Sequence, residues 1–193
     1  MFYKIYDLIR YCYIDKVRQR LIFDYWPIIE KIRHNKLTLL EIGIWKGDSL
    51  RYWAHFFKNP ETKIIGIDIN LPDGSFHNKV VMCKCNQNDS DGLKNIAEKY
   101  GAFDIIIDDG FHKKKETENC FNVLWNYVAP GGYYVIEDWT AMEDAEVIKK
   151  ISKNKSKLGI SEERIVAVAP RIITMRPLYI AIPGKCIAFF KKQ

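Results

Sequence analysis

The sequence is poor in the features that would take it out of the class of single globular domains. No apolar run approaches the roughly eighteen residues that span a bilayer, and the first residues lack the apolar core of a signal peptide. The expectation is a cytoplasmic protein without membrane insertion. Cysteine is scarce: Cys12, Cys83, Cys85, Cys120 and Cys186 form an odd set with no Cys-x-x-Cys pair, which reads as buried thiols in a reducing compartment. Cys83 and Cys85 share one face of a strand, but no partner cluster completes a zinc pattern around them. Repeats, low-complexity tracts and linkers are all missing, so 193 residues make one well-buried domain spanning 1–193. The dinucleotide pattern Gly-x-Gly-x-x-Gly is missing too, which disfavours a nicotinamide cofactor. Acid is in shorter supply than base, 24 against 30, for a net charge of +6. That excess hints at an anionic substrate, is equally compatible with a plain solvated surface, and does not by itself imply a nucleic-acid partner.

What the sequence does have is a pair of apolar β-branched runs that each stop in two acids. Phe103-Asp104-Ile105-Ile106-Ile107 ends at Asp108-Asp109-Gly110-Phe111-His112, and Tyr133-Tyr134-Val135-Ile136 ends at Glu137-Asp138. Continuous runs of this kind read as strands buried on both faces. The helix-length segment from Lys113 to Val128 between them makes a strand, helix, strand unit with a parallel pair. In parallel α/β sheets the carboxyl ends of the strands face the ligand crevice, and neighbouring strands lie roughly 4.8 Å apart. Four carboxylates gathered there must either rise in pKa or take a cation. A cation is the favoured reading, with His112 beside it to move a proton. Acids that merely cap the following loops, and a histidine that merely starts a helix, are the plainer alternatives.

Residues 1–36 read as helical, with Ile5, Leu8, Ile9, Tyr13, Val17, Leu21 and Ile22 at helical spacing. This aromatic, basic segment is an amphipathic helix packed on the domain, a lid or a dimer contact. Leu37–Ile42 is the first strand and runs into Gly43-Ile44-Trp45-Lys46-Gly47, with a helix from about Asp48 to Phe57. Glycine is needed where a strand turns tightly into a helix and a ligand approaches the backbone. Lys63–Ile69 is the second strand, carrying Asp68 about twenty residues beyond Gly47; an acid at that distance can accept both hydroxyls of a ribose. Val80–Cys85 is the third strand. The polar cluster Asn86 to Ser90 after it caps the next helix, about Asp91 to Tyr100, or hydrogen-bonds an adenine edge, or does both. Met142–Lys157 reads as a helix ending before Gly159. Ile165–Val168 is apolar without a clear type. Leu178–Ile182 and Cys186–Phe190 read as a hairpin around Pro183-Gly184 that closes the sheet.

Four strings taken together carry a resemblance: Leu40 to Leu50 with Trp53, Gly66-Ile67-Asp68-Ile69, Asp108 to His112, and Pro130 to Asp138. In order and register over roughly residues 37 to 140, they resemble the metal-dependent S-adenosylmethionine O-methyltransferases of macrolide sugars, the macrocin and mycinamicin enzymes and their cephalosporin hydroxylase-like relatives. The resemblance implies a Rossmann-like class I methyltransferase fold: α/β, a seven-stranded mostly parallel sheet of order 3-2-1-4-5-7-6 with the last strand antiparallel, and helices on both faces. It implies cofactor-binding roles for Glu41, Gly43, Gly47 and Ser49 toward the methionine end, Asp68 at the ribose, Gln87 and Asp89 near the adenine, and Asp108 on the sulfonium side. Asp109, Glu137 and Asp138 match the family's magnesium ligands and His112 its general base. Two positions depart from the family pattern: Phe111 stands where a small serine is usual, and the N-terminal segment keeps only Asp15-Lys16 of a longer motif.

The expected chemistry is transfer of a sulfonium methyl to a hydroxyl of a sugar or glycoside. A cation held by Asp109, Glu137 and Asp138 lowers the hydroxyl's pKa while His112 takes its proton. Oxygen ligands suit magnesium, with manganese or calcium as alternatives. Lys113, Lys114 and Lys115 lie at a helix start, where the macrodipole disfavours cations; they are a solvated run or a hint of an anionic substrate such as a phosphorylated sugar. Two rival classes stay in view. A nucleic-acid methyltransferase would carry Asn/Asp-Pro-Pro-Tyr/Phe for amino methylation of bases, and the fourth strand ends otherwise. A non-catalytic cofactor-binding partner protein would have broken metal acids, and these are intact. Self-association of the chain is open at this level.

Overall fold

The computed structural model describes residues 16, 21–139, 144–168, 171–175, 178–182 and 185–193. Within them, α1 (Leu21–Ile29) is followed by β1 (Thr38–Ile42), α2 (Asp48–Phe56), β2 (Lys63–Asp68), β3 (Val80–Lys84), α3 (Ser90–Tyr100), β4 (Phe103–Asp108) and α4 (Lys114–Leu124). A short 3-10 turn, Trp125–Tyr127, leads into β5 (Val128–Glu137). Then come α5 (Asp144–Lys153), α6 (Lys155–Leu158), β6 (Ile160–Val168), β7 (Arg171–Met175), β8 (Leu178–Ile182) and β9 (Lys185–Lys192). The helical reading of residues 1–36 holds at Lys16 and over α1 but fails over 30–36, where the chain leaves the helix in turns to enter β1; the remainder of 1–20, with the lid and dimer-contact readings attached to it, lies outside the described residues.

Seven strands form one sheet in the order β3-β2-β1-β4-β5-β9-β6. β1 pairs in parallel with β2 and β4, β2 with β3, and β4 with β5, while β9 runs antiparallel to both β5 and β6. Counted along this sheet, β6 and β9 are its sixth and seventh strands, so the expected order 3-2-1-4-5-7-6 is the observed one. The expected hairpin is not. Leu178–Ile182 pairs with β7 in a separate two-stranded sheet, and the Cys186–Phe190 segment belongs to β9. Ile187, Ala188, Phe189 and Phe190 are all buried, Ile187 and Phe189 in the core on one face and Ala188 and Phe190 in the core on the other, so the strand needs a place inside the main sheet, where both faces are covered. A Pro-Gly turn signal is local and cannot tell which strand lies alongside. The apolar run Ile165–Val168 is the end of β6.

The strands alternate between two cores because successive side chains point to opposite faces. Leu40, Ile42, Ile106, Tyr134 and Ile136 pack with Leu93 and Ala97 of α3, Phe121 and Leu124 of α4, and Val147, Ile148 and Ile151 of α5. Leu39, Ile105, Ile107 and Val135 pack on the other side with Leu21, Tyr25 and Ile29 of α1 and Leu50, Trp53 and Phe56 of α2. Tyr25 joins the two helices to the sheet, meeting Trp53 edge-on at 5.5 Å and Phe189 at 5.3 Å between ring centroids. The carboxyl ends of β1, β2, β4 and β5 thereby come to one edge, with β1 at the point where the strand order reverses.

Candidate active site at the carboxyl edge of the sheet

A crevice of about 670 Å³ opens at that edge, lined among others by Gly43, Asp68, Gln87, Asp109, His112 and Asp138. Of the residues singled out in the sequence, these six line it, while Glu41, Gly47, Ser49, Asp89, Asp108 and Glu137 do not. The division follows from the pleat. Asp108 turns toward the α3–α5 side, buried, where the hydroxyl of Tyr134 donates to it at 3.2 Å. Glu137 turns to the α1–α2 side, also buried, and accepts from the Tyr25 hydroxyl and, at 2.8 Å, from the Lys16 ammonium. Asp109 and Asp138, each the next residue along, face the rim.

Two clusters share Asp109. In the buried one, Lys16 Nζ donates to Asp109 Oδ2 at 2.7 Å and to Glu137, and lies 3.0 Å from Glu41 Oε1 in an electrostatic contact that lacks hydrogen-bond geometry. Glu41 also takes the indole N–H of Trp53 at 3.2 Å. Burial works against the Lys16 charge, yet Asp109, Glu137 and Glu41 together hold its pKa well above the usual lysine value. Burial also raises Glu41, against the pull of Lys16, and pushes Glu137 up to about 8 with Asp109 adding to the push. One ammonium therefore does not satisfy three carboxylates in this environment. In the second cluster, in the lining of the crevice, donor atoms of Asp109, His112 and Asp138 all lie within 4.8 Å of one another, with His112 Nε2 at 3.7 Å from Asp109 Oδ1. An oxygen-bound cation with bonds of about 2.4 Å has ligands up to about 4.8 Å apart across its diameter, so these donors fit a single ion. The expected ligand set is thus divided: Asp109 and Asp138 stand together with His112, and Glu137 is committed to Lys16 and Tyr25.

The backbone around the crevice is held in uncommon conformations. Trp45, His112 and Asp138 have φ of 42°, 53° and 48°, left-handed values that cost a non-glycine residue about 1–3 kcal/mol and gather at functional sites. Gly43 is left-handed as well, at φ 80°, and a Cβ there would be driven onto the carbonyl of Asp109. Its missing side chain is thus required by the close approach of β4's end, not by open space for a ligand. Gly47, at φ 73°, is covered by the Phe76 ring, which a Cβ would meet at 2.6 Å. Asp68 braces the same turn: Oδ2 accepts the N–H of Ile44 at 3.0 Å and of Trp45 at 3.1 Å, and Oδ1 that of Asn70 at 3.0 Å. A carboxylate offers about four acceptor positions, so one remains on Oδ1.

The polar cluster after β3 divides its work. Asp89 caps α3, accepting from Gly92 N–H at 3.0 Å, while Gln87 Oε1 accepts the N–H of Phe111 at 2.7 Å and so fixes the loop that carries His112. Sequence reasoning gave no site role to three contributors, although Lys16 was noted as part of the retained Asp15-Lys16. Lys16 and Tyr25 reach the carboxylates across 121 and 112 residues of chain, and no local pattern signals such a pairing. Trp45 could have been found, as a tryptophan between the two glycines of the turn; with Phe111 and Ile69 it forms an exposed apolar rim to the crevice. The lysine run Lys113–Lys115 lies beside acids, with Lys114 paired to Glu146 and, across the same helix pair, Lys150 to Glu118.

The methyltransferase domain family matches residues 40–139, inside the stretch that carries the four motifs. The chain is 41% identical over 117 residues, 56% of its length, to demethylmacrocin O-methyltransferase of Streptomyces fradiae, covering 29% of that protein. It is likewise 41% identical over 117 residues to mycinamicin VI 2''-O-methyltransferase of Micromonospora griseorubida, again covering 29% of that protein. The chain therefore spans about a third of the length of these curated relatives. Among solved structures, MycE methyltransferase from the mycinamycin biosynthetic pathway, in complex with Mg, SAH and mycinamycin VI, superposes with a TM-score of 0.68 at 28% identity, over 88% of this chain and 49% of that one.

Proposed function

Because the chain belongs to the methyltransferase domain family, we propose that it is an S-adenosylmethionine-dependent, divalent-metal-dependent O-methyltransferase acting on a hydroxyl of a sugar or glycoside. The observation that carries the reading is the convergence of Asp109, His112 and Asp138 in the same crevice as the Gly43 turn and Asp68. The relatives named for methylation of macrolide glycosides support the acceptor class.

In this reading, bound S-adenosylmethionine supplies an electrophilic methyl group and a bound magnesium ion polarises the acceptor hydroxyl. The Gly43 turn would meet the methionine end of the cofactor, the last acceptor position of Asp68 its ribose, and Gln87 the adenine side. Asp109 and Asp138, as hard oxygen donors, hold the ion. His112 takes the proton that leaves the hydroxyl, its ring oriented by the left-handed backbone at 112 and the Asp109 carboxylate next to it. Trp45, Ile69 and Phe111 offer the apolar rim against which a sugar's carbon face or its aglycone can lie.

Isothermal titration with S-adenosylhomocysteine tests the cofactor half. Binding at micromolar concentration is expected, with marked weakening in Asp68→Ala, because that variant loses both the acceptor and the brace on Ile44 and Trp45. Absence of heat with the unaltered chain sinks the cofactor assignment. Manganese binding followed by electron paramagnetic resonance tests the metal half: Asp138→Asn should weaken it at least tenfold, and an unchanged affinity would return Asp138 to a loop-capping role.

A further inference from the structure

The three carboxylates gathered around Lys16 turn a single oxygen toward the crevice. Glu137 accepts the Tyr25 hydroxyl on Oε1 and the Lys16 ammonium, at 2.8 Å, on Oε2. Glu41 accepts the Trp53 indole N–H on Oε2, and its Oε1 faces the ammonium at 3.0 Å. Asp109 gives Oδ2 to the same ammonium at 2.7 Å, and its other oxygen, Oδ1, is the one 3.7 Å from His112 Nε2. Glu41, Glu137 and Lys16 are buried, whereas the Asp109 side chain is partly exposed. Asp109 thus straddles two environments, with one oxygen on a fixed cation inside and one free to serve the crevice.

The ammonium stands where a divalent ion would itself be drawn. Oxygens of Asp109, Glu137 and Glu41 lie 2.7, 2.8 and 3.0 Å from Nζ, and closing by about half an ångström would bring them to the bond lengths of magnesium, manganese or calcium. A cation that belongs to the chain fills this position without the loss of translational freedom that a free ion incurs. Two effects on the rim follow. Lys16 pins Asp109 through Oδ2, so that Asp109 offers the crevice one oxygen beside the carboxylate of Asp138. It also sets a positive charge one carboxylate away from any ion on Oδ1, which weakens the hold on that ion. An ion held by only one or two carboxylates keeps several coordination positions for water, and these are the positions that acceptor hydroxyls can enter.

We propose that Lys16 is a positioning residue for the metal: its ammonium takes the place of an ion among Glu41, Asp109 and Glu137 and so confines the divalent ion to Asp109 Oδ1 and Asp138. The inference rests on the metal-dependent reading above and adds to it the group that decides which acids hold the ion. Manganese is titrated into the unaltered chain and into Lys16→Met, followed by electron paramagnetic resonance, with S-adenosylhomocysteine calorimetry alongside. Lys16→Met should bind manganese about tenfold more tightly or better, since a like charge is gone and Glu137 is released to the ion. Its S-adenosylhomocysteine affinity should stay within about threefold of the original. A residue that merely held the fold would lower both affinities. Tyr25→Phe, which frees Glu137 Oε1 but leaves the ammonium, should bind manganese within about threefold of the unaltered chain. Manganese held no more tightly by Lys16→Met overturns the inference and leaves the metal reading standing, whereas no manganese binding by the unaltered chain overturns that reading and the inference with it. Should Lys16→Met not fold, acetylation of the unaltered chain mapped by mass spectrometry decides. Lys16 should stay protected with and without manganese, and manganese that opens Lys16 to the reagent shows the ion displacing the ammonium, which overturns the inference.

Discussion

Glu137 and Asp138 are chain neighbours with opposite surroundings, and the contrast gives the site its pH behaviour. Burial holds the Glu137 pKa at about 8, against an ordinary 4.5. A carboxyl raised in the folded state contributes stability that is fully present below about 4.5 and is lost as pH rises through about 8. Urea unfolding in chelator should thus show stability falling by a few kcal/mol between pH 5 and 8, and Glu137→Gln should flatten that slope. A slope of equal size in the variant would place the titrating group elsewhere. Lys16 makes the complementary case: Lys16→Met leaves Glu41, Asp109 and Glu137 without their ammonium, and breaking a buried ion pair from one side costs roughly 3–5 kcal/mol. The midpoint of urea unfolding should drop accordingly, and added manganese should recover part of the loss. The sequence shows that acids end these strands, but the facing of each acid depends on the pleat and on partners 93 and 121 residues away. That is why the acids themselves were legible and their division between two clusters was not.

At the scale of elements, β1 to β5 were readable because each is a short apolar run flanked by turn residues, and the parallel pairings follow from the helices between β1 and β2, β3 and β4, and β4 and β5, while β2 and β3 pair in parallel across a helix-free loop. The C-terminal strands were half readable. Their apolar character is plain in Cys186-Ile187-Ala188-Phe189-Phe190, but pairing is non-local, and β9 takes β5 and β6 as neighbours instead of β8. The Gly43 turn is the other instructive element, since the glycines were expected for ligand approach and are required by the protein's own packing. Gly43→Ala adds a Cβ against backbone of Asp109 and Gly110, which no rotamer change can relieve. Gly47→Ala meets the side chain of Phe76, which can shift. Both incur the left-handed penalty of about 1–2 kcal/mol. Thermal unfolding should therefore show a larger loss for Gly43→Ala, together with weakened S-adenosylhomocysteine binding, than for Gly47→Ala. The reverse ranking would mean that the β1 and β4 ends separate more easily than their packing indicates.

For the molecule as a whole, the question is whether cofactor and metal sites in one crevice act as one unit or two. Of the residues on the β1–β2–β3 side, Gly43 meets Asp109 at its backbone carbonyl, Gln87 holds the same loop through the Phe111 N–H, and Asp68 bonds to Ile44, Trp45 and Asn70. The carboxylates of Asp109 and Asp138 point instead to His112 and, from Asp109, to Lys16. Coupling between the halves thus runs through main chain, not through a shared side chain. Chelator should therefore leave S-adenosylhomocysteine affinity within about threefold of its value in magnesium, a coupling below about 0.7 kcal/mol. Methyl transfer to a glycoside with vicinal hydroxyls should stop in chelator and return with magnesium, and His112→Ala should lower it by the hundred- to ten-thousandfold that a general base typically contributes, with cofactor affinity kept. If chelator instead abolishes cofactor binding, the ion is part of the cofactor pocket and the Asp109 loop must reorganise with it. If transfer proceeds at full rate in chelator, Asp109 and Asp138 serve the fold and His112 alone activates the hydroxyl.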